Sequence, residues 1–271
     1  MPTFLGNPFS GFFKRILQFG HSGNNGTPTA TTNIQAGDGV ATSVSLSDDV
    51  LSVQPVTDNT TGTMLVKNQG GSNILAVDTT NSKILGGASQ TALNTQYAYF
   101  GNDYSGSSNF NADQHYAIAF NTSPLSTFGD MEMGSSTSSS FNDTNPASTL
   151  TITNDAQFFT LCYWYVMDNI TIDAVTWLHG ADSATGDSTA AHLMAYTVDI
   201  ANGSTSGDLS SGVVVADGAT ITNTGHEKIY FQAMTIQSAD VDAGKVIMFT
   251  FASDTVNSDY SIGATVKYHI R

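Results

Sequence analysis

The chain has 271 residues with 23 acidic and 8 basic side chains, so its formal net charge is -15, and only 11% of its residues are charged. An ordinary soluble domain carries about 25%. Two of the acids, Glu132 and Glu227, are glutamates, which leaves 21 aspartates, and the polar surface must be built from Ser, Thr, Asn and Gln. A shortage of Glu, Lys and Arg, the residues that cover helices, argues against a helical bundle or an α/β enzyme. Such an acidic chain does not neutralise phosphates, which argues against nucleic acid as a partner. With 40% hydrophobic residues there is enough apolar material for a folded core.

Residues 1–20 form an amphipathic segment. Phe9, Phe12, Phe13, Ile16 and Leu17 fall at i, i+3, i+4, i+7 and i+8, the stripe of one helix face. Asn7 suits the N-cap, Pro8 the first helical position and Gly20 the residue after the end. Lys14 and Arg15 sit inside the apolar stretch, and no small-residue cleavage site follows, so the segment does not read as a secretory signal. A helix this short is marginal alone in water, and its stripe needs a surface. That surface is the chain's own body, a groove on another protein or a membrane face; the expectation here is a docking helix for a partner protein. Residues 21–38, made of Gly, Ser, Thr and Asn, read as a linker.

Residues 39–92 carry short strands and turns. Met64 to Lys67 leads through the turn Asn68-Gln69-Gly70-Gly71-Ser72 into Ile74 to Val77, and a second turn at Asp78 to Ser82 leads into Lys83 to Leu85. So short a stretch makes a poor isolated core, and the expectation is that identical chains share one here, with packing on the larger β domain as the alternative.

Residues 93–271 read as a larger β domain. Strands are predicted at Tyr97–Phe100, His115–Phe120, Thr149–Thr153, Phe158–Met167, Ile170–Leu178, His192–Ile200, Val213–Ala216, Lys228–Ile236, Lys245–Ala252 and Asp259–Ile270. In the last of these, Tyr260, Ile262, Ala264, Val266, Tyr268 and Ile270 share one face. The number and spacing suit a two-sheet sandwich of jelly-roll type. The predicted fold class is thus all-β, preceded by one anchor helix and a linker.

Motifs that carry chemistry are scarce. There is no G-x-S-x-G, P-loop, G-x-G-x-x-G, C-x-x-C or H-E-x-x-H. His179, Asp182, Asp187 and His192 are the densest polar cluster, but Gly180 to Thr189 has the composition of a solvated loop. Asp199, Asn202 and Asp208 do not follow a calcium-loop spacing. Asp48, Asp49, Asp113 and Asp130 stand in turn contexts rather than as an acid/base pair. Tyr163, Trp164, Tyr165 and Trp177 suggest a sugar-stacking platform, but consecutive rings alternate faces, and Trp177 reads as core. Cys162, the lone cysteine, lies in an apolar run and reads as a buried core residue. No catalytic, cofactor or metal residue is nominated, and no stretch reaches the ~18 apolar residues of a membrane helix.

The segments taken together resemble the small trimeric tail-fibre and head-fibre proteins of marine short-tailed bacteriophages. The likeness is carried by the anchor at residues 7–20, the Ser/Thr/Asn linker, the hairpin Thr63-Met64-Leu65-Val66-Lys67-Asn68 with Ile74-Leu75-Ala76-Val77-Asp78, and the terminal β domain. The resemblance implies a non-enzymatic homotrimer of the virion, made in the host cytoplasm. Its N-terminus would attach to a capsid or tail protein and its C-terminal domain would face outward, toward a host-surface glycan or protein. A capsid decoration protein is the runner-up, and an envelope depolymerase or esterase is the rival from another class.

Overall fold

The computed structural model describes residues 18–19, 29–35, 40–87, 91–103, 111–121, 132–135, 146–150, 156–181, 185–199, 208–255 and 260–271. The chain divides into two compact units, Met1–Asn94 and Thr95–Arg271. Nearly all described secondary structure is β, as composition requires. Phe9, Phe12, Phe13, Ile16 and Leu17 lie outside the described residues. The two that follow, Gln18 and Phe19, are extended and pair with Gln35 and Ile34, so strand pairing supplies backbone partners where the end of a helix was expected.

The first unit holds two antiparallel meanders. One runs through β1 (Gln18–Phe19), β2 (Thr32–Gln35), β3 (Ala41–Leu46) and β4 (Leu51–Val53). The other runs through β5 (Met64–Lys67), β6 (Asn73–Asp78), β7 (Lys83–Gly86) and β8 (Thr91–Ala92). The turn between β5 and β6 is built as its sequence suggests. Asn68 Oδ1 accepts from the Ser72 amide at 2.9 Å, and Gly71 takes a φ of +85°, a region where a side chain would be strained. At the next turn Asp78 accepts from the Asn81 amide at 2.9 Å and from its side-chain Nδ2 at 2.8 Å.

Register shows what these sheets lack. Met64 pairs with Val77, and Val77 with Ile84, on one face; Leu65 pairs with Ala76, and Ala76 with Leu85, on the other. Both faces of the β5–β6–β7 sheet are therefore apolar. Among the described residues of this unit Ala76 is the one apolar side chain that is buried, while Met64, Leu65, Val66, Ile74 and Ile84 are exposed.

The second unit is built on β9 (Thr95–Asp103), β10 (Gln114–Ile118), β11 (Glu132–Ser135), α1 (Ala156–Cys162), β12 (Trp164–Tyr165), β13 (Ile170–Ala181), β14 (Ser188–Asp199), β15 (Asp208–Asp217), β16 (Ile221–Thr222), β17 (Lys228–Ala233), β18 (Thr235–Ile236), β19 (Asp240–Val241), β20 (Lys245–Ser253) and β21 (Tyr260–Ile270). One sheet has the order β17-β13-β21-β9, with β19 also on β13. The other has the order β11-β10-β20-β14-β15-β18, with β12 on β20 and β16 on β14. Trp177, Phe100, Phe249, Phe251 and Val266 belong to one continuous buried cluster. Rings from the two sheets meet there: Phe100 and Phe249 have centroids 6.0 Å apart, and Trp177 and Phe251 also 6.0 Å, edge to face.

The two sheets are joined at both sides. The Gly101 amide donates to Ala119 O and the Asn121 amide to Tyr99 O, each at 2.9 Å, carrying β9 onto the chain that leaves β10. On the other side the chain passes from β17 in one sheet to β18 in the other through the buried Met234, whose amide donates to Val175 O. The predicted strand Lys228–Ile236 is thus two strands in two sheets.

The strand predicted at Phe158–Met167 is corrected. Residues 156–162 form α1, and the strand that follows is only Trp164–Tyr165. A short apolar run has no period by which helix and strand differ, and here the helical alternative holds. Of Thr149–Thr153, Leu150 makes a single bridge to Leu209, and residues 151–155 lie outside the described part. In β21 the inward alternation holds from Tyr260 to Val266 and slips after Tyr268, so that His269 is buried and Ile270 exposed. The slip accompanies a register shift on β13 between Ile172 and Ala174.

Candidate functional site

The buried polar residues of the second unit fall into two groups. His179 comes from the inward face of β13, between Trp177 and Ala181. Its ring is stacked between Trp177 and Tyr230, with both centroids 5.0 Å away and interplanar angles of 24° and 19°. Nε2 lies 2.9 Å from Asn223 Oδ1, so with the Asn223 amide in this orientation the imidazole donates from Nε2. Asn223 Nδ2 donates to the Tyr260 hydroxyl at 3.2 Å, and that hydroxyl donates to Asp187 Oδ2 at 3.0 Å. Desolvation holds the His179 imidazolium below its usual range, against the opposing effect of Asn223. Desolvation likewise pushes the Tyr260 phenol up.

His192 is not part of this chain of bonds. It lies on β14 in the other sheet, paired with Thr250 of β20 and Asp217 of β15. Its ring centroid is 5.0 Å from that of His115, and His115 Nδ1 sits 3.2 Å from Thr250 Oγ1. Asp217 Oδ1 comes within 3.0 Å of His192 Nδ1 without the alignment of a hydrogen bond. Burial, and then the neighbouring His192, keep His115 neutral well below the usual imidazole range. The expected cluster of His179, Asp182, Asp187 and His192 is therefore split. His179 and Asp187 share one network, His192 belongs to another, and Asp182 lies outside the described residues. Among the described residues no group of three His, Cys, Asp or Glu is placed to hold a metal ion.

The other candidates sort by exposure. Trp177 is core, with Nε1 donating to Gln232 Oε1 at 3.1 Å. Trp164 is buried, stacked on Phe120 at 5.8 Å and 4.8 Å from Tyr268, while Tyr165 is exposed, so Tyr163, Trp164, Tyr165 and Trp177 do not form one platform. Trp164, Tyr165, Gln96 and Asp168 line a shallow hollow of about 200 Å³ at one end of the unit. Cys162 is buried, and desolvation pushes its thiol up to about 12. Asp48 and Asp49 occupy the β3–β4 turn, which the Ser47 amide and Val50 carbonyl close at 2.8 Å. Asp113 sits in a turn at φ +60°, Asp199 pairs with Asp208 across a hairpin, and Asp130 and Asn202 lie outside the described residues.

The solvent face of the sheet β17-β13-β21-β9 is different in kind. Register sets Phe231, Leu178, Gly263 and Gly101 in one row, with Ile229, Gly180, Ser261 and Asp103 on one side of it. Ala233, Thr176, Thr265 and Tyr99 form the row on the other side, and beyond them Ala174, Lys267 and Tyr97. Ile229 is 79% exposed, Phe231 71%, Tyr97 53%, Tyr99 52% and Leu178 44%. A strip of large apolar side chains on the terminal strand β17 is thus separated from a tyrosine strip on β9 by a floor of Gly180, Leu178, Thr176, Ser261, Gly263 and Thr265. Composition could not locate this surface, because it depends on which strands are neighbours. Phe231 and Leu178 are 53 residues apart in the chain and side by side in the sheet.

No helix among the described residues is long and apolar enough to cross a membrane. The chain matches no known protein family and no curated protein.

Proposed function

We propose that this chain is a structural protein of a bacteriophage particle, a homotrimeric fibre-like appendage. In this reading the segment around Phe9, Phe12, Phe13, Ile16 and Leu17 attaches it to a capsid or tail protein. The jelly-roll-like β domain is displayed for attachment to the host surface. The observation that carries the reading is the first unit, whose β5–β6–β7 sheet is apolar on both faces and leaves Met64, Leu65, Val66, Ile74 and Ile84 exposed. A thin sheet with two apolar faces is not stable alone in water, and identical chains wrapped around one another supply the missing cover. Among the described residues of the second unit the His179–Asn223–Tyr260–Asp187 network is buried, while Ile229, Phe231, Tyr97 and Tyr99 are exposed on one sheet face. That exposed apolar face supports a role in display and assembly.

The test begins with the mass of the purified full chain by light scattering, where three copies are expected and a monomer overturns the reading. Removal of residues 1–17, which spares β1, should leave a trimer and abolish incorporation into particles. Continued incorporation would overturn the attachment role. The intact protein should bind host cells and compete with infection, and failure to do either removes host attachment.

A further inference from the structure

The solvent face of the sheet β17-β13-β21-β9 has the features of an interface. Mid-strand glycines weaken a strand and recur where another surface must approach closely. Here the fold itself does not demand them at Gly101 and Gly263. Neither has a positive φ, and a Cβ at Gly263 would meet nothing nearer than Leu178 Cδ1 at 3.6 Å, one at Gly101 nothing nearer than Ile262 O at 3.6 Å. Gly101 and Gly263 are half-buried, with Ile229 and Phe231 protruding on β17 and Tyr97 and Tyr99 on β9. The five large side chains expose on the order of 500 Å² together, comparable to the largest apolar patches of monomeric proteins.

Charge distinguishes the kinds of occupant. The chain carries a net -15, so two copies repel wherever their carboxylates face each other. In the rows from Ile229 to Tyr97 the charged residues are Lys267 and Asp103, at opposite ends. Such a face lets acidic chains of the same kind meet without opposing carboxylates. A stable interface takes roughly 800 Å² from each partner, and an apolar strip and trough of this kind form the centre of one.

We infer that the solvent face of this sheet receives a second copy of the chain, with Phe231 and Ile229 of one copy packed into the Gly101–Gly263 trough of the next. The inference rests on the oligomeric reading above and names the surface of the β domain that assembles. The protruding strip and the trough are different residues at opposite sides of one face. A head-to-tail contact between them repeats from copy to copy, and the trimeric reading requires a rotation of one third of a turn that closes it into a ring.

Paired cysteines test this in the full chain. Within one copy Phe231 and Gly263 are two strands apart, about 10 Å, and Phe231 and Gly101 three, about 14 Å. Neither pair can form a disulfide inside one molecule, which needs Cα atoms within ~7 Å. The double variants Phe231→Cys/Gly263→Cys and Phe231→Cys/Gly101→Cys should, on mild oxidation, give covalent dimers and trimers on a non-reducing gel. The single variants should stay monomeric there. A wild-type chain that scatters as a trimer while neither double variant cross-links overturns this surface and leaves the oligomeric reading standing; the face then serves another occupant. A wild-type monomer overturns both.

Discussion

His179 Nε2 donates to Asn223 Oδ1 across 2.9 Å at a site where neither side chain reaches solvent, and the imidazole is clamped between the rings of Trp177 and Tyr230. The pairing makes His179 a structural member of the core. His179→Phe keeps the stack but strands the Asn223 carbonyl, and should cost about 1–3 kcal/mol of stability. His179→Ala also removes the stacked ring and should cost about 3 kcal/mol or more. Urea denaturation followed by Trp fluorescence measures both. Equal losses for the two variants would show that the stack contributes nothing.

Acid should weaken the second unit. His115 and His179 both have imidazoles held below the ordinary 6.5 by burial, so the unfolded chain takes up their protons before the folded one does. Their contribution is complete above pH 6.5 and is lost as pH falls below it toward the folded values. Asp113 works in the opposite sense, because desolvation and Asp254 raise its carboxyl, but it titrates nearer the carboxylate range. The urea midpoint should therefore fall steadily from pH 7 to pH 5.5. The slope should flatten in His115→Phe; an unchanged slope would show that His115 is not part of the effect.

What was legible in the sequence is what strand period and turn chemistry can encode. β21 alternates over Tyr260 to Val266 because one of its faces is core, and the Asn68–Ser72 turn folds as its Gly71 requires. The α1 run carried no period. Nor could sequence show that β14 and β20 are buried on both faces, as a central layer is. His179 and Asp187 were grouped by their spacing, whereas Asn223, just after β16, and Tyr260 of β21, which connect them, come from distant parts of the chain. Sheet neighbours, not local pattern, made both the buried network and the exposed face of Phe231 and Gly263.

Cys162 should resist thiol reagents until the protein unfolds. It is buried, and its thiol is pushed up to about 12, so the thiolate is a small fraction of the population at pH 8. Labelling by a maleimide should be on the order of a hundred-fold slower in native protein than in 6 M guanidinium, because the reagent needs both the thiolate and access to it. Equal rates would mean that α1 opens readily and that the site is less packed than its burial implies.

Gly212 makes a contrast with Gly101. It lies within β15 beneath the passage of residues 146–150, donating its amide to Ser148 O at 2.9 Å, while the Tyr196 hydroxyl donates to Ala147 O at 2.9 Å. A Cβ at Gly212 would stand 2.6 Å from Tyr196 Cε1 and 2.9 Å from Ser148 Cα. The second of these is backbone and cannot turn aside, so Gly212→Ala has to lift the 146–150 strap or shift β15. The expected cost is about 1–3 kcal/mol, as for overpacking elsewhere in cores. Within one copy Gly101→Ala, with 3.6 Å to its nearest neighbour, should be neutral or gain about 0.5 kcal/mol from the loss of glycine freedom in the unfolded chain, so a larger loss there would come from the trough that receives Phe231 of the next copy. Urea midpoints of the two variants settle the contrast, because equal midpoints would mean that the strap over Gly212 yields without cost.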